Sequence, residues 1–162
     1  MNDRLQETQA PNTNASGADL SIKKILVAVD LSPRSEQTAD YAAELAKHFG
    51  AHLTLVHVLS PKEATEVTSA KDNTFDEPTI SPQEQLENLA RKIRRMHPSC
   101  SAHLCLGEPA NKIAQMAELL RADLILTGDN HPRFLGRLLG PDESSRIIAQ
   151  APCPVFVCHD EA

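Results

Sequence analysis

The fold of this chain is decided by the stretch from Asp123 to Val157, which reads D-L-I-L-T-G-D-N-H-P-R-F-L-G-R-L-L-G-P-D-E-S-S-R-I-I-A-Q-A-P-C-P-V-F-V. Its pattern predicts a buried strand, a glycine-containing loop, the start of a helix and a second buried strand. In α/β proteins a phosphate site forms where a strand leads through a glycine loop into a helix, because backbone N–H groups and the helix dipole converge there. The stretch therefore predicts an α/β fold with a candidate nucleotide-binding loop.

Apolar runs alternate with helical patterns along the rest of the chain. The run I-L-V-A-V-D at 25–30 is uninterrupted, which is typical of a parallel strand covered on both faces. Ser32 and Pro33 begin the helix that follows, and Gly50 ends it. Four further strands are predicted at 51–59, 101–106, 123–127 and 154–158, and three further helices at 82–96, after Gly107 and at 143–149. This alternation predicts a doubly wound five-stranded parallel sheet with helices on both faces.

Two segments are expected to lie outside this framework. Residues 1–21 are rich in Asn, Gln, Thr, Ala and Gly, which predicts a flexible N-terminal extension in front of a domain at 22–160. Residues 60–82 are polar, contain three prolines and show no sustained period, which predicts a long flexible loop. The sequence leaves open whether that loop is a lid, a partner surface or an insertion without function.

The composition disfavours several functional classes. A net charge of −6 and an aromatic content of 3% disfavour a polyanion-binding surface and a base-stacking platform, so no nucleic acid is expected as a partner. No stretch approaches the roughly 20 apolar residues of a membrane span, and the polar start lacks the apolar core of a signal peptide. The chain is therefore expected to be cytoplasmic, with no contact to a membrane.

The cysteines indicate neither a disulfide framework nor a metal site. Cys100 and Cys105 are five residues apart, as are Cys153 and Cys158. An odd separation places the two side chains on opposite faces of a strand, so neither pair chelates one metal from a single strand. Because no catalytic constellation accompanies them either, the chain is not expected to be an enzyme.

Five motifs in order make the chain resemble the universal stress protein family. They are I-L-V-A-V-D-L-S, H-L-T-L-V-H-V, G-E-P-A-N-K-I, A-D-L-I-L-T-G and A-P-C-P-V-F-V, and they span about residues 23–157. The resemblance implies the strand order 3-2-1-4-5 and a homodimer through the last strand. It also implies a stress-responsive binding or regulatory protein with an unidentified protein partner, rather than an established enzyme. One subclass of the family binds ATP, and another lacks the phosphate motif and does not.

The final strand, P-V-F-V-C, is expected at an edge of the sheet, where unpaired backbone groups tend to pair with another strand. Antiparallel pairing with a second copy of the chain would bury Val155, Phe156 and Val157 in an isologous dimer. The alternative is a monomer in which this edge is covered by other means.

Residues at three strand ends are candidate contacts for an adenine nucleotide. Asp30 ends the first strand, where its carboxylate can accept hydrogen bonds from a ribose or an adenine amino group, or cap the following helix. Val58 offers backbone groups to an adenine ring, whereas His57 on the opposite face is expected to be a buried, hydrogen-bonded histidine. Thr127 and Gly128 end the fourth strand and begin the loop.

That loop departs from the pattern of the ATP-binding subclass, which has a glycine, two residues, a second glycine, nine residues and then Gly-Ser or Gly-Thr. His131 replaces the second glycine, and Gly140 comes one residue early and precedes Pro141. A Cβ at His131 hinders the approach of a ligand to the backbone, and Pro141 lacks an N–H group for phosphate. The next two residues are carboxylates, which repel phosphate at the helix start.

Three functions stay open for this site. The first is a dimeric binding or regulatory module whose degraded phosphate loop holds ATP or AMP weakly or not at all. The second is an ATP-binding switch that reaches the phosphates through Arg133, Arg137 and Ser144, with a hydrogen bond from His131. The third is an adenine-nucleotide hydrolase or transferase, which needs a metal-binding carboxylate close to the phosphates.

Overall fold

The computed structural model describes residues 21–70, 80–129 and 143–159. These ranges contain the predicted alternation of strands and helices, together with one helix that the sequence pattern did not predict. The strands are β1 (Lys24–Ala28), β2 (His52–Leu59), β3 (Cys100–Leu106), β4 (Leu124–Gly128) and β5 (Val155–Cys158). The helices are α1 (Pro33–Phe49), α2 (Pro61–Ala70), α3 (Pro82–Met96), α4 (Pro109–Leu120) and α5 (Glu143–Gln150).

The five strands form one parallel sheet in the order β3-β2-β1-β4-β5. This confirms the predicted doubly wound α/β fold and its strand order. The registers place Ala28 of β1 opposite both Val56 of β2 and Thr127 of β4. Because the strands are parallel, the carboxyl ends of β1, β2 and β4 lie side by side at one edge of the sheet.

Side chains alternate across the sheet into two hydrophobic cores. Val27 and Leu55 pack with α1 and α3 in one core, and Leu26 and Val56 pack with α4 and α5 in the other. None of these four side chains is exposed. Burial of one such side chain stabilises the fold by about 1.5–3 kcal/mol, so both faces of the sheet need their helices.

Helix α1 begins and ends where the sequence predicts. Ser32 Oγ accepts a hydrogen bond from the backbone N of Ser35 over 3.3 Å, and Pro33 is the first helical residue. Gly50 ends the helix with a φ of 61°, a left-handed conformation that glycine adopts without steric cost.

The expectation of a loop at 60–82 is wrong for its first half, because α2 occupies Pro61–Ala70. Ser60 and Glu63 form a capping box: the backbone N of Glu63 donates to Ser60 Oγ over 3.3 Å, and the backbone N of Ser60 donates to Glu63 Oε2 over 2.8 Å. Pro61, which suggested a loop, lies at the first helical position, where a missing N–H leaves no bond unmade. Residues 71–79 lie outside the described ranges, as do residues 1–20 of the predicted extension.

Candidate functional site

A cavity of about 280 Å³ lies at the carboxyl ends of β1, β2 and β4. The strand order reverses on the two sides of β1, and doubly wound sheets bind their ligands at such a position. Apolar residues such as Ala28, Val56 and Ile113 form part of the wall, and residues of α1, α2, α4 and α5 complete it. This cavity is the candidate ligand site.

The fold brings together five of the residues predicted for a nucleotide site. Asp30, Val58, Thr127, Gly128 and Ser144 all line the cavity, although Asp30 and Ser144 are 114 positions apart in the chain. The other four predicted contacts lie outside the described residues: His131, Arg133, Arg137 and Gly140.

Asp30 is held by the turn that it begins. Its Oδ1 accepts a hydrogen bond from the backbone N of Ser32 over 2.9 Å and a second from the Ser32 hydroxyl. Leu31, between them, has a φ of 64°, which is uncommon for a bulky side chain. Asp30 thus braces the start of α1 and also lines the cavity, so its two predicted roles are compatible.

Gly128 and Ser144 join β4 to α5 beside the cavity. Ser144 is 6% exposed, and its Oγ donates to the Gly128 carbonyl over 2.9 Å. A Cβ added at Gly128 would come within 3.2 Å of Thr38 Oγ1, so glycine permits a close approach of α1 to β4.

His57 forms part of the wall, which the sequence pattern did not predict. Its ring is buried, with 6% of the residue exposed, and Nδ1 lies 2.7 Å from the Val29 carbonyl oxygen. Since a carbonyl only accepts, Nδ1 carries the proton. The prediction of a buried, hydrogen-bonded histidine is confirmed, but the same ring also borders the ligand space.

Glu63 reaches the cavity from the first turn of α2, and it was missed together with that helix. Hydrogen bonds from the Ser60 hydroxyl and the Ser60 backbone N lower the pKa of the Glu63 carboxyl, and they outweigh the opposing effect of partial burial. The sequence S-P-K-E at 60–63 carries the signal that could have located it.

Carboxylates dominate the charged side chains that line the cavity in the described ranges. Asp30, Glu63, Asp129 and Glu143 contribute four carboxylates, against the single guanidinium of Arg34. Such a wall favours hydrogen-bond donors and repels anions.

Arg146 ties the start of α5 to the start of α4 at the rim. Its guanidinium pairs with Glu108, the N-cap residue of α4, and lies 3.4 Å from Glu143. Glu108 also accepts from the backbone N of Asn111 over 3.0 Å. The guanidinium of Arg146 therefore partly compensates the negative charge of Glu143.

Away from the cavity, β5 lies at the edge of the sheet as predicted, pairing with β4 alone in the described sheet. Phe156 is 46% exposed and stacks on Tyr41, with ring centroids 6.0 Å apart. Val155 and Val157 are half-buried.

The cysteines are thiols, and both pairs are split between the two cores as the strand pattern predicts. Burial raises the pKa of the Cys100 thiol to about 11. In the described part of the chain, no three His, Cys, Asp or Glu side chains are grouped to hold a metal. Nor does any helix in that part combine the length and apolarity that a bilayer crossing requires.

The sheet order and the cavity define the class: a doubly wound α/β protein with a candidate ligand site at the point where the strand order reverses. The sequence model of the universal stress protein family matches residues 21–159, and the chain belongs to that family. It is similar to universal stress protein A homolog 1 of Coxiella burnetii, with 35% identity over 138 residues that cover 83% of this chain and 94% of the relative.

Solved structures of the family share the fold. The universal stress protein from Archaeoglobus fulgidus in complex with dAMP is 25% identical, with a TM-score of 0.58 over 85% of this chain and 98% of that chain. A universal stress protein in complex with cAMP has a TM-score of 0.65 over 86% of this chain and 98% of that chain. Its identity is 18%, which supports the likeness of fold alone.

Proposed function

We propose that this chain is a dimeric binding and regulatory module of the stress response, and that it holds an adenine nucleotide weakly in the cavity. The observation that carries the proposal is the cavity at the carboxyl ends of β1, β2 and β4, where distant residues such as Asp30 and Ser144 meet. The dAMP complex of the Archaeoglobus fulgidus relative supports an adenine nucleotide as the ligand class. A regulatory protein of this kind acts by recruiting a partner protein according to the occupancy of its site.

Weak binding follows from the altered loop. His131 and Pro141 take away close backbone approach and one N–H donor, both of which phosphate binding uses. Glu143 begins α5 and lines the cavity, so a carboxylate occupies the helix end that would attract a phosphate.

The proposed module binds its ligand without turning it over. The hydroxyls of Ser35 and Ser144 border the cavity, and each donates over 2.9 Å to a backbone carbonyl oxygen, that of Ser32 and of Gly128 respectively. A serine nucleophile needs its proton directed at a base, so these hydroxyls are not arranged for attack.

The proposed dimer forms through β5. The outer edge of this strand, which pairs with β4 alone in the described sheet, and the exposed stack of Phe156 on Tyr41 lie together, and a second copy of the chain would cover both. Such a contact is isologous: the same surface of both subunits is used, so the assembly stops at a dimer.

Isothermal titration calorimetry of nucleotide-stripped protein with AMP and with ATP, each with and without Mg²⁺, tests the ligand. We expect AMP to bind with a dissociation constant of about 10 μM or weaker, which corresponds to roughly 7 kcal/mol or less. Tight, magnesium-dependent ATP binding would instead favour the ATP switch. No heat with either nucleotide would contradict adenine-nucleotide binding.

Amide chemical shifts in NMR spectra locate the site independently. On titration with AMP, the amides of Val58 and Gly128 should shift, because both residues line the cavity. Lys24 and His52 are the first residues of β1 and β2, at the end of the sheet away from the cavity. Their amide signals serve as internal controls and should not shift. Shifts confined to that end of the sheet would contradict the proposed site.

A further inference from the structure

The hydroxyl groups that α1 contributes to the cavity wall turn their hydrogens away from it. Ser35 Oγ donates to the Ser32 carbonyl over 2.9 Å, and Thr38 Oγ1 donates to the Arg34 carbonyl over 3.4 Å. Both side chains are buried, and both line the cavity. Because each hydroxyl already donates its one hydrogen to a carbonyl, it can only accept a hydrogen bond from a ligand.

The hydroxyls that β4 and α5 contribute to the wall are arranged in the same way. Thr127 Oγ1 and Ser144 Oγ both donate to the Gly128 carbonyl, over 3.3 and 2.9 Å. These two residues are buried as well. All four of these hydroxyls, which would serve as phosphate donors in another arrangement, present acceptors to the cavity.

His57 adds a ring-nitrogen acceptor to the wall. Its Nδ1–H donates to the Val29 carbonyl over 2.7 Å, so Nε2 is unprotonated in the neutral ring. Among the described residues, nothing else is hydrogen-bonded to the ring. A ring nitrogen that lines a cavity as an acceptor is free to take a hydrogen bond from a donor group of the occupant.

The carboxylates complete an acceptor-rich surface. Hydrogen bonds from Ser60 lower the pKa of Glu63, so this side chain stays ionised and cannot donate at neutral pH. Asp30, Asp129 and Glu143 add three more carboxylates to the lining. Arg34 is the cationic exception in this part of the chain.

We propose that the cavity selects an uncharged, donor-rich nucleoside, and that His57 Nε2 is a specificity-determining acceptor for one of its amino or hydroxyl hydrogens. This inference rests on the proposed function, because it specifies which part of an adenine nucleotide the cavity binds. Adenosine carries an amino group and ribose hydroxyls that can donate to these acceptors. A phosphate has only acceptor oxygens and carries negative charge. Its oxygens would face the acceptors and carboxylates of the wall without a hydrogen between them, which disfavours binding.

The size of the cavity agrees with this selection. Small-molecule sites usually occupy about 300–1,000 Å³, and the present cavity of about 280 Å³ lies just below that range. A nucleoside suits such a volume better than a triphosphate, whose additional phosphates would meet the carboxylates of the lining.

A calorimetric series with adenosine, AMP and ATP tests the selection on the unmodified full-length protein. We expect adenosine to bind most tightly and ATP at least about tenfold more weakly, with or without Mg²⁺, which corresponds to about 1.4 kcal/mol. ATP binding as tight as that of adenosine would overturn the selection while leaving adenine-nucleotide binding intact. No binding of any of the three would overturn the proposed function itself.

The role of His57 is tested with the variant His57→Asn. An asparagine amide can still donate toward the Val29 carbonyl from the position of Nδ1, but it has no atom at the position of Nε2. We expect about tenfold weaker adenosine binding, because one buried hydrogen bond to the ligand is lost. The matched control is His103→Asn on the neighbouring strand β3, an exposed position that should leave the affinity unchanged.

A spectroscopic measurement on the wild-type protein keeps the test decisive if His57→Asn fails to fold. The ¹⁵N resonance of His57 Nε2 should shift when adenosine is added, because accepting a hydrogen bond changes the shielding of an unprotonated ring nitrogen. An unmoved resonance in adenosine-saturated protein would overturn the assignment of His57 as a ligand acceptor. So would an unchanged adenosine affinity in folded His57→Asn.

Discussion

Among the described helices, two end on residues with left-handed backbone, and only one of these residues is glycine. Gly50 follows α1 with a φ of 61°, and Arg121 follows α4 with a φ of 53°. In each case the backbone N–H of the end residue hydrogen-bonds to carbonyls of the last turn. For a residue with a Cβ this conformation costs about 1–2 kcal/mol. A glycine therefore marks the end of α1 in the sequence, whereas no comparable signal marks the end of α4.

The two positions predict opposite effects of substitution. Gly50→Ala should lower the free energy of unfolding by about 1 kcal/mol, and the cost is purely conformational because no atom lies within 4 Å of the added Cβ. Arg121→Gly should raise it by up to about 1 kcal/mol, since the strain at this position disappears. Urea unfolding followed by circular dichroism measures both. The control Arg121→Ala removes the same charge but keeps a Cβ, and a gain as large as that of glycine would contradict the argument.

At the scale of elements, local signals explain what the sequence predicts and what it misses. The strands are continuous apolar runs and α1 carries both caps, so their bounds agree with prediction to within two residues. Helix α2 was missed because prolines and polar residues outweighed the S-P-K-E capping signal at 60–63. Because Glu63 reaches the cavity from this helix, missing the helix also meant missing Glu63 as a residue of the site.

The capping box of α2 predicts a pH dependence of stability. The pKa of Glu63 in the folded protein lies below its ordinary value of 4.5, so its ionised form stabilises the fold. That contribution is fully present well above pH 4.5 and is lost as the pH falls from about 4.5 through the lower folded value. Urea unfolding at several pH values between 7 and 3 should therefore show Glu63→Gln less stable than wild type at pH 7, with the difference shrinking toward pH 3.

The matched control for this prediction is Glu44→Gln, which neutralises another exposed glutamate, on α1. This variant should retain the pH dependence of the wild type over the same range. A wild-type pH dependence in Glu63→Gln would show that the Ser60 hydrogen bonds do not stabilise the ionised carboxyl.

At the scale of the whole molecule, topology gathers the site but does not reveal its hydrogen-bonding character. Alternation of strands and helices predicts that Asp30, Val58 and Gly128 meet at one edge of the sheet, because parallel strands around β1 end together. The direction of each hydroxyl hydrogen depends on which carbonyl lies nearby in space. Ser144 donates to Gly128, sixteen positions earlier in the chain, and no local pattern in the sequence encodes that contact.

The proposed dimer is also a property of the whole molecule, and Phe156→Asp tests it. Phe156 lies on the outer strand β5, where it is exposed and stacked on Tyr41. A contact between two copies through this strand would bury the Phe156 side chain of each subunit. An aspartate there would bring like charges together across the twofold axis and remove the apolar area, and sedimentation should then show the mass of a monomer in place of a dimer. Leu119→Asp is the control, because that side chain is 76% exposed near the end of α4 and its change should leave the dimer intact. A folded Phe156→Asp protein that still sediments as a dimer would place the interface away from β5, and a monomeric wild type would remove the dimer from the proposed function.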